Sequence, residues 1–94
     1  MAMTFELIGK NVAEKKQEEV QKREAAVNTE REQILEAINQ KALERVRFDS
    51  ESVYVKIALE SFPLSENREF LRSNGFEIYY VNTTYVVEGY VDIK

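Results

Sequence analysis

The side chains that could do chemistry in this chain are carboxylates, tyrosines, lysines and arginines, because the sequence contains no cysteine and no histidine. Thiolate nucleophiles, disulfides, Cys/His zinc sites and imidazole relays are therefore excluded within one chain. Two carboxylate pairs, Asp49 with Glu51 and Glu88 with Asp92, have spacings that general acid–base catalysis could use. Such spacings also arise by chance among 17 acidic residues. The three glycines are isolated and form no phosphate-binding loop. We therefore predict a non-enzymatic protein without a catalytic site, metal or cofactor.

Three tyrosines and two arginines form the candidate binding set. Tyr54, Tyr79 and Tyr90 fall on the strand face opposite the main apolar residues. If this face is exposed, it offers a contact patch or a stacking platform for a nucleotide-like ring, assisted by Arg68 or Arg72 from a short helix. In the alternative interpretation, the helical segment 34–46 covers this face, the short helix covers the other, and the domain has three layers.

The elements that position these side chains begin with a long helical region, from about residue 4 to residue 47. It contains no proline and is rich in Glu, Gln, Lys, Arg and Ala, which are good helix formers. Apolar residues recur every seven positions at Ala13, Val20, Val27 and Ile34, as one seam position of a coiled coil would. The companion positions three residues later are mostly polar. The seam therefore predicts either self-association or a narrow stripe packed against the protein's own second half.

A possible break in this helical region lies at Thr29, which with Glu32 fits a capping box. The region is thus either a helical hairpin or a single helix about 65 Å long, at roughly 1.5 Å per residue. We expect a charged helical extension over 1–28 and an α+β domain over 29–94. The expected elements of that domain are helix 29–47, strand 53–60, helix 65–73 and strands 76–82 and 84–93.

The second half has the alternation of strands with one buried face. Val53, Val55 and Ile57 alternate with more polar residues in the first strand. A short helix then ends at Asn74-Gly75, and two further strands flank a turn. This order predicts a compact β-α-β-β unit with a three-stranded mixed sheet, in which strands one and two are parallel neighbours and strands two and three are antiparallel.

Charge is distributed unevenly along the chain. Residues 1–48 hold nine Lys/Arg and nine Asp/Glu, whereas residues 49–94 hold four and eight, so the net charge of −4 lies in the second half. Neither half has the one-sided basic character of proteins that bind duplex nucleic acid through phosphates, so we predict no such partner. The sequence has no apolar segment of about 20 residues and no signal-like start, which predicts a cytoplasmic protein without membrane contact.

A resemblance is carried by residues 66–81, ENREFLRSNGFEIYYV, followed by Tyr85-Val86-Val87. This pattern resembles small accessory proteins of tailed bacteriophages, which also place a helical segment and a short strand before a helix that ends in a Gly-aromatic pair and a terminal hairpin. The resemblance covers about residues 30–93. It implies the host cytoplasm as the compartment and a role as a virion part, an inhibitor of a host enzyme or an antagonist of bacterial immunity, and it assigns no functional residue.

The hypothesis that these observations favour is a phage-type interaction or assembly module that forms a homo-oligomer through its N-terminal helix. The alternative is an antagonist that binds a host protein or sequesters a nucleotide-like ligand with the tyrosines and arginines. The first predicts a defined oligomer, and the second predicts a bound small molecule or a captured host protein.

Overall fold

The computed structural model describes residues 2–93, and its largest element is a single helix, α1, over Phe5–Arg45. Thr4 begins it as the N-cap, since its Oγ1 accepts a hydrogen bond from the backbone N–H of Leu7 at 3.2 Å. The helix ends where Val46 adopts extended backbone while its N–H still donates to the carbonyl of Ala42. At roughly 1.5 Å per residue, α1 is about 60 Å long.

Of the two alternatives for the helical region, the uninterrupted helix is the one adopted. α1 continues through Thr29, so the capping box there does not start a new helix and no helical hairpin forms. Val27, two residues before Thr29, is buried, and its carbonyl accepts a hydrogen bond from Asn67 of the second half. This turn of α1 is therefore held in helical geometry by tertiary contacts, which override the local capping signal.

The other elements are strand β1 (Ser52–Leu59), helix α2 (Ser65–Ser73), strand β2 (Glu77–Val81) and strand β3 (Thr84–Asp92). The α+β class and the β-α-β-β order are confirmed, but the predicted mixed sheet is wrong. The strand order is β1-β3-β2, and β3 is antiparallel to both neighbours. Strands β1 and β2 run in the same direction, as expected, but they are separated by β3 and do not pair.

The central position of β3 has a physical explanation in strand length. The hairpin turn at Asn82-Thr83, whose φ values of 50° and 63° suit a type I′ turn, makes β3 the neighbour of β2. β3 is also long enough to pair with all eight residues of β1, from Ser52 opposite Asp92 to Leu59 opposite Tyr85. The five residues of β2 could satisfy fewer of the backbone groups of β1, so the longer antiparallel ladder forms instead.

Both helices pack on the same face of the sheet, so the three-layer interpretation is wrong and the domain has two layers. The core joins Ile34 and Ile38 of α1 and Leu71 of α2 to Val55 and Val87 of the sheet, with further residues around them: Val53, Ile57 and Phe76. The opposite face carries Lys56, Glu77 and Glu88 among its tyrosines. Covering that face with a helix would desolvate these charges, whereas the Val/Ile face has none to desolvate.

The molecule is elongated because α1 extends beyond the sheet. Its principal extents are 72 × 33 × 18 Å and its Cα radius of gyration is 19.7 Å, against about 12 Å for a compact chain of this length. Among the described residues, the first α1 side chain that hydrogen-bonds to another element is that of Arg23. We call residues 5–22 the arm; at roughly 1.5 Å per residue it projects about 27 Å. Within residues 2–93, no helix combines the length and apolarity that crossing a membrane requires.

Candidate interaction surfaces

The row of apolar residues by which α1 packs on the domain continues into the arm, where these side chains are exposed. At roughly 3.6 residues per turn, Phe5, Val12 and Val20 lie within about 40° of Ile34 around the helix axis. Their side chains are 92%, 61% and 40% exposed, whereas Val27 and Ile34 are buried. We call Phe5, Val12 and Val20 the arm stripe. The arm stripe is on the side of α1 that faces the domain, but it lies beyond the end of the domain.

The four residues of the predicted seam therefore divide into two pairs. Val27 and Ile34 pack against the protein's own second half, which is one of the two outcomes that the seven-residue spacing allowed. Ala13 and Val20 lie on the arm, beyond that contact. The seam as a whole is not available to a partner, and the part that is available lies between residues 5 and 22.

An ion pair between Arg23 of α1 and Glu66 at the start of α2 holds the end of the arm that is next to the domain. We call this end, at Arg23, the arm root. Arg23 Nε and Nη2 donate to the two carboxylate oxygens of Glu66 at 2.8 and 2.7 Å. The hydrogen bonds from Arg23, with a further one from the Ser65 hydroxyl, lower the pKa of Glu66 to about 2, and the same pairing raises the pKa of Arg23. Two parallel hydrogen bonds fix direction as well as distance, so this pair orients the arm root relative to α2.

Behind the ion pair, a buried asparagine joins the two helices. Asn67 is 1% exposed; its Oδ1 accepts from Arg31 Nε at 2.8 Å, and its Nδ2 donates to the Val27 carbonyl at 3.0 Å and to Glu30 Oε1 at 2.9 Å. The same Glu30 oxygen accepts the backbone N–H of Leu64, the N-cap of α2, at 2.7 Å. The start of α2 is thus held by a carboxylate from α1, 34 residues away in the sequence.

A cluster of partly exposed aromatic side chains lies at the end of the domain from which the arm projects. Phe62 stacks on Tyr85 with ring centroids 5.2 Å apart, and Tyr85 contacts Tyr80 at 4.9 Å. We call Phe62, Tyr80 and Tyr85 the aromatic cluster. The guanidinium of Arg68 lies 4.1 Å from the Phe62 ring centroid, and its Nη1 donates to the Pro63 carbonyl at 2.7 Å. The sequence did not predict this cluster, because it forms only when β3 pairs with β1.

The tyrosine face of the sheet, defined by Tyr54, Tyr79 and Tyr90, is not covered by either helix. Tyr54 and Tyr90 are cross-strand partners whose rings meet edge to face at 5.4 Å. The Tyr54 hydroxyl donates to Glu88, which together with burial raises the pKa of Tyr54 to about 12. Arg45 lies 5.9 Å from the Tyr54 ring centroid. This face is thus a mixed aromatic and charged surface.

The two arginines that we expected to assist the tyrosines are not equally placed. Arg68 is on the helix-covered side of the sheet, where it stacks on Phe62, so it does not approach the tyrosine face. Arg72 is exposed and, with Tyr79, lines an open concavity of about 480 Å³ between α2 and β2. Of the two alternatives, Arg68 is thus not placed beside the tyrosines, whereas Arg72 shares one depression with Tyr79.

The carboxylates singled out by the sequence include Glu88, which is engaged with a tyrosine. Glu88 accepts the hydroxyl of Tyr54, and within residues 2–93 no group of three or more acidic side chains is placed to hold a metal ion. No family model, curated protein or solved structure matches the chain. The phage resemblance therefore stays a prediction, and the surfaces have to be interpreted from their own geometry.

Proposed function

We propose that this chain is a non-enzymatic interaction or assembly module of the phage accessory type, which forms a homo-oligomer through its N-terminal arm. The proposal rests on the arm stripe. Its three apolar side chains are exposed on the projecting part of α1, and they lie on the same side of the helix as the residues that pack against the domain further along. Exposed apolar side chains that line one face of a helix are typical of helix-in-groove and coiled-coil contacts.

The stability of the arm supports the same proposal. An isolated helix of about 18 residues is marginal in water, because most helical stability in proteins comes from packing an apolar face. The arm has ion pairs between Lys15 and Glu19 at 3.4 Å and between Lys22 and Glu19 at 3.9 Å, but exposed pairs contribute only about 0.3–0.5 kcal/mol each. Burying the stripe in a partner would add about 1.5–3 kcal/mol for each large apolar side chain. Association is thus the larger source of order for the arm.

The test is the absolute mass in solution of the full chain and of a Val12→Gln/Val20→Gln double variant, measured by light scattering on a sizing column. The proposal predicts a defined oligomer for the full chain and a monomer for the double variant, with unchanged secondary structure by circular dichroism. The matched control is Leu43→Gln, because Leu43 is an exposed apolar residue on the side of α1 that faces away from the stripe. A monomeric full chain would contradict the proposal.

The second candidate is an antagonist that binds a host protein or a nucleotide-like ligand through the tyrosine face. It is favoured by two observations: neither helix covers this face, and Tyr79 shares a depression with Arg72. This candidate predicts a small molecule released from the purified protein by heat, or a captured host protein, and loss of either in Tyr79→Ala and Arg72→Ala. Arg68→Ala is the control, since Arg68 lies on the other side of the sheet. For either function, the cytoplasm of the host is the proposed compartment.

A further inference from the structure

The arm and the domain together form an L, and the arm stripe lies on the inner side of the L. This follows from the helix period, because Phe5, Val12 and Val20 share a side of α1 with Val27 and Ile34, which contact the domain. Any partner of the stripe must therefore enter the corner between the arm and the end of the domain. The corner is about 27 Å long, at roughly 1.5 Å per residue, and one helix about 10 Å wide would fit along it.

The aromatic cluster lies at the end of the sheet that is next to this corner. The end of β1, at Leu59, lies beside Ala25 and Ala26 of α1, where together they line one concavity. Tyr85 is opposite Leu59 in the sheet, and Tyr80 is opposite Tyr85. Tyr85 and Tyr80 are thus at the same end of the sheet as Leu59, on the same side of the sheet as the helices.

The position of the domain decides how a second copy could enter. In a parallel pair with the two stripes in contact, both domains would be at the same level and on the stripe side of their helices, so they would occupy the same space. In an antiparallel pair, each domain lies beyond the N-terminus of the other arm and the clash disappears. Only the antiparallel arrangement allows two arm stripes to meet.

We propose that two copies of this chain associate by antiparallel pairing of their arms about a two-fold axis, so that Phe5 of each copy reaches the aromatic cluster of the other. The inference rests on the proposed function and specifies its partner, symmetry and contacts. With the axis between Val12 and Ala13, Phe5 is opposite Val20 and Gly9 is opposite Lys16 of the other arm. Gly9 has no side chain, so the Lys16 stem has room to pass beside it.

Engineered cysteines test this arrangement directly, because the chain has none of its own. Under mild oxidation, we expect Val12→Cys or Ala13→Cys to form a covalent dimer with itself, since only residues near the axis bring their Cα atoms within about 7 Å. We expect Phe5→Cys alone to stay uncrosslinked, and Phe5→Cys mixed with Val20→Cys to form the mixed disulfide, because these two positions are opposite each other in this register. Self-crosslinking of both Phe5→Cys and Val20→Cys would indicate parallel arms and overturn this inference, while the assembly proposal would stand.

A second measurement does not depend on cysteines. We expect Tyr80→Ala to weaken the dimer by at least tenfold in sedimentation equilibrium, because it removes part of the seat for Phe5. Tyr90→Ala is the matched control, since the two tyrosines are 60% and 64% exposed but lie on opposite faces of the sheet. Equal dimer affinity of both variants would overturn the contact. A full chain that is monomeric by light scattering would overturn the inference and the proposed function together.

Discussion

The two parts of α1 have different surroundings although they belong to one continuous helix. Residues 23–45 pack on a sheet and a second helix, whereas residues 5–22 project away, yet both belong to one uninterrupted helix with the same seven-residue recurrence. The difference comes from the apolar content of the shared side. The packed half places Ile34 and Ile38 there, while Lys16 interrupts the projecting half. One narrow apolar stripe is thus partly buried within the chain and partly exposed.

The largest expected effect is a difference in stability between a substitution in the packed part of α1 and one in the arm. Ile34→Ala should lower the free energy of unfolding by about 2–5 kcal/mol, because it leaves a cavity in a core that cannot collapse to fill it. Val20→Ala should change it by less than about 0.5 kcal/mol in dilute protein, where the arm is unpaired. Urea denaturation at low concentration measures both. Equal losses would mean that the arm packs on its own domain.

A smaller effect is expected at the polar junction between the helices. Asn67→Leu should destabilise the protein by about 1–3 kcal/mol, because Arg31 Nε and Glu30 Oε1 lose a buried partner. Asn39→Leu, on the exposed side of α1, is the matched control and should be nearly neutral. The measurement is again urea denaturation. A neutral Asn67→Leu would show that packing alone joins α2 to α1.

Two glycines provide an opposed pair of predictions. A Cβ at Gly89 would lie 2.6 Å from Cδ1 of Phe76, so Gly89→Ala should cost about 1–3 kcal/mol by overpacking. A Cβ at Gly9 meets nothing within 4 Å, so Gly9→Ala should stabilise the arm helix by up to about 1 kcal/mol. The melting temperature, followed by circular dichroism, measures the effect of Gly89→Ala. The intensity of the helical circular dichroism signal measures the effect of Gly9→Ala. A gain in stability from Gly89→Ala would contradict the close approach of the Phe76 ring to Gly89.

The smallest effect is a pH dependence at the arm root, where the two halves meet. Arg23 lowers the pKa of Glu66 to about 2 from an ordinary value of 4.5, so this ion pair stabilises the folded state above pH 4.5. That contribution is lost as the pH falls from 4.5 through 2. The effect should be small because both side chains are roughly half exposed and screened by solvent. Stability curves of the protein and of Glu66→Gln should converge at low pH; parallel curves would contradict the pairing.

The sequence predicted the elements better than their arrangement. The helix formers before residue 47, the alternation in β1 and the Gly75 cap each act locally, and the corresponding elements are Phe5–Arg45, Ser52–Leu59 and Ser65–Ser73. The order of the three strands depends on which of them form the longest ladders of backbone hydrogen bonds. That outcome depends on residues far apart in the sequence. The same limit explains the missed cluster, since Phe62, Tyr80 and Tyr85 come from three separate segments that meet only in the β1-β3-β2 order.

The sequence by itself excluded thiol and imidazole chemistry within one chain, because it contains no cysteine and no histidine, and it supplied charged, aromatic and apolar surfaces. The tertiary structure decided which of those surfaces are occupied. It directed both helices to the uncharged face of the sheet, because the other face would have buried Lys56, Glu77 and Glu88. It also left the arm beyond the end of the domain, because a sheet with strands of at most nine residues is shorter than a 41-residue helix.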